Sequence, residues 1–131
     1  MGNRRNFVRF PLVGFVDIKL VNRNMRYSGF IEQISRGGIG VYTKDKIGPG
    51  CRVVLELLCF VGNDTLNSSI SGTVKSCNGI DSSLKKYNEL GVIAIKFDND
   101  INSIDQKPLH DCLIEHDIKL NQKRRSLLRL V

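Results

Sequence analysis

Lys46-Ile47-Gly48-Pro49-Gly50, running directly into Cys51-Arg52-Val53-Val54-Leu55-Glu56-Leu57-Leu58-Cys59-Phe60-Val61, decides the fold. Proline beside glycine fixes dihedrals that neither a helix nor a strand interior tolerates, so residues 46–50 form a turn. The apolar run behind it is strand-like, and Gly62-Asn63-Asp64 ends it. Outward from this stretch, the chain from Val13 to Val92 repeats the same grammar of short apolar runs with period-2 alternation, separated by turn residues. Upstream, Phe15, Asp17 and Lys19 alternate with Gly14, Val16, Ile18 and Leu20, a half-buried strand. Val21-Asn22-Arg23-Asn24 is a turn, because asparagine tolerates left-handed backbone and bonds its own main chain. Tyr27 to Ile34 and Ile39 to Thr43 read as strands on either side of Ser35-Arg36-Gly37-Gly38. Downstream, Leu66 to Cys77 is polar and β-branched, with Gly72 expected at a bulge or bend. A loop rich in Ser, Lys and Asn runs to Asn88, and Leu90 to Phe97 closes the series.

Six strands of similar length with no helix between them predict a mainly β protein, an antiparallel β-barrel. Closure removes the unpaired edges such strands otherwise present. The final third changes period. Leu109, Cys112, Leu113 and Ile114 mark one face of a C-terminal α-helix, with Ser103 expected as its N-cap, Asp105 in its first turn and Pro108 near its beginning. Three regions follow: a basic arm over 1–12, barrel and helix over 13–118, and a basic amphipathic tail over 119–131.

The 131 residues allow one domain of ordinary size, and 41% hydrophobic content supplies one packed core, which excludes wholesale disorder. No run approaches the roughly 18 apolar residues of a membrane-spanning helix. The start, Met1-Gly2-Asn3-Arg4-Arg5, lacks the apolar stretch of a secretory signal, so a cytoplasmic location is expected. The formal net charge of +7 is unevenly placed: +3 in residues 1–9, +5 in residues 119–131, and −1 between them. A nearly neutral body with two basic ends points to terminal segments that meet an anion, although a basic end can equally serve solubility alone. Cys51, Cys59, Cys77 and Cys112 form no Cys-x-x-Cys pair, and His110 and His116 have no ligand spacing, so no metal site or cofactor is expected. Paired carboxylates and an activated nucleophile are equally absent from the pattern, which points away from an enzyme.

Two motifs carry the chemistry. Arg4-Arg5-Asn6-Phe7-Val8-Arg9 contains Arg5-x-x-x-Arg9, and Gln33-Ile34-Ser35-Arg36-Gly37-Gly38 lies one hairpin later. In this order and spacing they resemble the PilZ family, whose members bind the second messenger cyclic di-GMP through Arg-x-x-x-Arg and Asp/Asn-x-Ser-x-x-Gly. Arg5, Arg9, Ser35 and Gly38 match, whereas Gln33 stands where the family has Asp or Asn. The resemblance covers roughly residues 4–118, including the Gly48-Pro49-Gly50 turn, the Gly72-Thr73-Val74 and Leu90-Gly91-Val92 strands and the C-terminal helix. It implies a PilZ-like barrel and a ligand site of Arg4, Arg5, Arg9, Gln33, Ser35, Arg36, Gly37 and Gly38.

The chemistry of the residues fits that implication. An arginine fork pairs bidentately with guanine O6 and N7 or with phosphate and stacks on bases. Ser35 offers a small donor, Gly38 admits close backbone approach, and Gln33 keeps an amide but no carboxylate. Arg4 beside the pair is similar to family variants that hold two stacked ligand molecules. The expected function is a sensor whose N-terminal arm rearranges on binding and signals to a protein effector of unspecified identity. One alternative is a degenerate PilZ adaptor that has lost the nucleotide through Gln33. Another is a basic barrel that binds nucleic acid, against which stand the absence of tryptophan and of an evident aromatic stacking platform. No specific nucleic-acid partner is expected. The tail, with Leu120, Leu127, Leu128 and Leu130 among its bases, fits an interfacial membrane helix, a partner-docking helix or a solvated end alike.

Overall fold

A computed structural model of the chain describes residues 12–79 and 90–115. They form six strands: β1 (Gly14–Leu20), β2 (Arg26–Ile34), β3 (Gly38–Thr43), β4 (Arg52–Val61), β5 (Asp64–Gly79) and β6 (Gly91–Phe97). All pairings are antiparallel, and the strands close in the order β1-β2-β3-β6-β5-β4. The expected antiparallel barrel is therefore what the chain builds. Residues 107–115 form helix α1, which reaches the edge of the described region. The expected basic arm up to Pro11 and the tail from Lys119 lie outside the described residues.

Alternation does the work of closure. In β1, Gly14, Val16, Ile18 and Leu20 are buried while Phe15, Asp17 and Lys19 face out. Val53, Leu55, Leu57 and Cys59 of β4 point to the same interior. Ile31, Ile34, Ile39, Val41, Ile70, Val74, Ile93, Ile95 and Phe97 of the other strands join them. Each fully buried aliphatic side chain contributes about 1.5–3 kcal/mol relative to exposure. Burial pushes the Cys59 thiol up to about 11, with Cys112 nearby adding to the effect, so this cysteine sits in the core as a neutral hydrophobe.

The decisive turn has a definite form. Cys51 N–H donates to Gly48 O at 3.3 Å, and Gly50 at the third position has φ +91°. Pro49 at the second position and a left-handed glycine at the third are what a type II turn demands. Gly50 N–H also donates to Val74 O at 2.8 Å, stitching the turn onto β5.

Two local expectations change. Gly72 sits in regular register opposite Val53 and Phe97, and the irregularity in β5 falls instead between Val74 and Ser76. Glycine is needed at 72 because an added Cβ would lie 2.6 Å from Lys96 O, so β5 and β6 approach too closely there for a side chain. The cap of the C-terminal segment is Asn102, not Ser103: its Oδ1 accepts from Ile104 N–H at 2.8 Å and Asp105 N–H at 2.9 Å. Helix α1 begins two residues after that turn, with Pro108 in its first turn, as expected. Its Leu109, Cys112 and Leu113 are buried and belong, with Leu12 and Ile101, to the same hydrophobic core as the barrel interior. Gln106 pins the approach to the helix, hydrogen-bonding Ser68 Oγ and donating from Nε2 to Ser69 O at 2.8 Å. Among the described residues, no helix is long and apolar enough to cross a membrane.

Candidate functional site

The turn between β2 and β3 is built from its own small residues. Ser35 N–H donates to Gly38 O at 2.9 Å, and Gly37 N–H donates to Ser35 Oγ at 3.3 Å. The turn is then strapped to the end of β6 and the segment after it. Phe97 N–H donates to Gly37 O at 2.9 Å and Ile101 N–H to Arg36 O at 2.8 Å, while Arg36 Nε donates to Ile101 O at 3.4 Å. These bonds hold Ser35, Gly37 and Gly38 rigidly at the rim of an open cleft on the outside of the barrel.

That cleft, about 740 Å³, follows from the order of side chains across four strands. One row runs Gln33, Gly40, Ala94, Ser76 from β2 through β3 and β6 to β5. Its centre is Gly and Ala, so the barrel surface sinks there, and the longer side chains at both ends form walls. Gly38 and Lys96 pair in the adjacent row. An added Cβ at Gly38 would lie 2.6 Å from Ile95 O, so this glycine is required by the approach of β3 to β6.

Both walls carry a bulge. Between Ile31 and Gln33 the β2–β3 register shifts, leaving Glu32 as the extra residue. Between Val74 and Ser76 the β5–β6 register shifts, leaving Lys75 as the extra residue. Bulges re-aim side chains, and here both extra residues line the cleft from opposite sides. Glu32 lies over Gly40: an added Cβ there would be 2.8 Å from Glu32 Oε1. The charges lining the cleft balance, Glu32 and Asp100 against Lys75 and Lys96. The lining therefore carries no net charge of its own. Among the described residues, no group of three His, Cys, Asp or Glu is placed to hold a metal ion.

Of the residues expected at the site, Gln33, Ser35, Gly37 and Gly38 line the cleft together. Arg36 does not line it, since its guanidinium turns to the Ile101 carbonyl. Arg4, Arg5 and Arg9 lie outside the described residues. The motif reading missed Glu32, Gly40, Lys75, Ser76 and Asn78. A signal for the bulges was present: Ile31-Glu32-Gln33-Ile34 and Val74-Lys75-Ser76-Cys77 each place two inward residues three apart, which strict alternation forbids.

One feature of the outer surface also differs from expectation. Phe15, Phe30 and Phe60 form an exposed ring cluster, with Phe15 5.3 Å from Phe30 and 5.7 Å from Phe60 between centroids. They meet because Phe15 and Phe30 are register partners across β1 and β2. Asp17 and Glu56 are register partners directly beside this cluster, and Lys19 and Arg26 are the next outward pair across β1 and β2.

Comparison with known proteins agrees with this architecture. The model of the PilZ domain matches residues 3–115. The structure of the Bacillus subtilis inhibitor of motility (MotI/DgrA) is similar at TM-score 0.68 and 20% identity, covering 90% of this chain and 53% of that one. The PilZ domain of YcgR from Escherichia coli, solved with c-di-GMP, is similar at TM-score 0.61 and 17% identity, covering 94% of this chain and 98% of that one. The MrkH–c-di-GMP complex from K. pneumonia is similar at TM-score 0.64 and 19% identity, covering 94% of this chain and 57% of that one. The chain thus spans about half the length of the Bacillus and Klebsiella proteins. No curated protein matches its sequence.

Proposed function

Because the chain belongs to the PilZ domain family, we propose that it is a cyclic di-GMP receptor rather than an enzyme, with the ligand seated in the cleft over β2, β3, β6 and β5. The observation that carries this reading is the convergence of Gln33, Ser35, Gly37 and Gly38 on one trough floored by Gly40 and Ala94. The E. coli and Klebsiella structures named above were solved with c-di-GMP, which favours the same ligand here.

The division of labour follows from charge. The cleft itself is balanced, so Arg5 and Arg9, with Arg4 beside them, supply the positive forks for the two phosphates and the guanine Hoogsteen edges. Ordering each residue of the arm costs about 1–2 kcal/mol, and each charge-assisted hydrogen bond returns about 1.5–3 kcal/mol. Binding therefore couples the arm's position to occupancy, and the altered surface is what a protein effector in the cytoplasm would recognise. Arg36 contributes to the site by fixing the turn, since its side chain is engaged with Ile101.

Calorimetric titration of cyclic di-GMP tests the assignment. Wild type is expected to bind, and Arg5→Ala and Arg9→Ala to weaken binding at least about tenfold each, in line with a lost charge-assisted pair. Equal binding by all three, or none by wild type, overturns it. Two ligands per chain would support the role given to Arg4.

The departure at Gln33 favours a second reading, a PilZ adaptor that keeps the scaffold without the nucleotide. Silent wild type together with a binding Gln33→Asp variant would establish it.

A further inference from the structure

We infer that Glu32, rather than Gln33, carries the carboxylate that reads the guanine base in this chain. The inference rests on the cyclic di-GMP reading above and goes beyond it, since the motif places recognition at position 33.

Guanine presents two adjacent donors, N1–H and the exocyclic N2–H₂, on the edge opposite to the one an arginine fork takes. A carboxylate meets both with its two acceptor oxygens, and such charge-assisted bonds are about twice as strong as neutral ones. An amide cannot do this, because one of its two polar ends is itself a donor. Gln33 can therefore satisfy one guanine donor while opposing the other.

The β2 bulge supplies what position 33 lacks. The extra residue it inserts is Glu32, and the register shift turns that side chain to the cleft alongside Gln33 instead of leaving strict alternation to separate them. Its carboxylate stands above Gly40, where the absent side chain leaves the space it occupies. It makes no hydrogen bond or ion pair among the described residues, so no protein donor there competes with a ligand for it. Across the trough, the second bulge presents Lys75 from β5. An acid on one wall and a base on the other suit a ligand that is itself divided into a hydrogen-bond-donating base edge and an anionic phosphodiester.

The test uses the full chain and two ligands, cyclic di-GMP and cyclic di-IMP, the second lacking the exocyclic 2-amino group. Glu32→Gln keeps the shape of the half-buried side chain and removes its charge. It is expected to weaken cyclic di-GMP at least about tenfold, cyclic di-IMP much less, and so to collapse the preference between them. Gln33→Ala is expected to change that preference less than Glu32→Gln does. Were Glu32 only a surface charge repelling phosphate, Glu32→Gln would tighten both ligands alike, and that result overturns the inference. Unchanged binding, or a larger loss of preference from Gln33→Ala, overturns it too while leaving the receptor assignment intact. A wild type that binds neither ligand removes the receptor assignment itself and the inference with it.

Discussion

Two glycines on β3, Gly38 and Gly40, both line the cleft but are required for different reasons. A Cβ at Gly38 would stand 2.6 Å from a backbone oxygen of β6, which cannot yield without parting the strands. A Cβ at Gly40 would meet the end of the Glu32 side chain at 2.8 Å, and a flexible carboxylate can move away. Gly38→Ala is therefore expected to destabilise the barrel by about 1–3 kcal/mol, the range for forced overpacking. Gly40→Ala is expected to melt close to wild type yet lose ligand affinity, because the floor rises and Glu32 is displaced. Thermal melts paired with calorimetry separate the two; equal melting losses would show that Gly40 is also held by backbone contact. The motif glycine was legible in the sequence, but its neighbour's role was not. Gly40 matters only because β2 folds a carboxylate over it, a contact no spacing rule contains.

At the scale of elements, the two bulges explain how a strand surface becomes a site. A regular barrel exterior would present one side chain every second residue, and the row through Gly40 and Ala94 would be bordered evenly. Inserting Glu32 and Lys75 adds one residue to each wall without changing which residues face the core. Deleting Lys75 should accordingly restore a regular ladder, with Val74 and Cys77 still inward, and leave a folded barrel with a weakened cleft. Deleting Ser71, which pairs regularly with Val54, should instead shift register and expose the core face of β5. Circular dichroism and melting temperature distinguish these outcomes; a Lys75 deletion that unfolds would mean the bulge is part of the fold's support. The strands themselves were readable from alternation, as in Gly14 to Leu20, and so was the turn at Gly48-Pro49-Gly50. The bulge at Lys75 left its mark in the spacing of Val74 and Cys77, but Gly72 drew the expectation to itself, because glycine in a strand signals either a bulge or a close approach. Here the neighbouring strand decided for close approach.

For the whole molecule, charge and closure are divided between separate parts. The described barrel has its own core from Leu12 to Leu113, and its cleft is electrically balanced. A chain beginning at Leu12 should therefore fold with near-native melting while losing cyclic di-GMP affinity and most of the salt dependence of binding. Loss of the fold on that truncation would place residues 1–11 within the barrel's support rather than the ligand's. The basic tail over 119–131 has no role in this scheme.

By itself the sequence determined the fold class, the strands and turns, the helix near the end and the family. The fold class and elements depend on local periodicity and on a few residues with special backbone freedom, and the family on two short motifs in order. Only the tertiary structure decided which strands became neighbours, β3 beside β6 and β4 beside β1, and hence which distant residues share a wall. Lys75 and Glu32 are 43 positions apart, and no local rule relates them. They face one trough because closing the barrel, driven by burial of one continuous apolar interior, brings β5 round to β6 and β6 to β3.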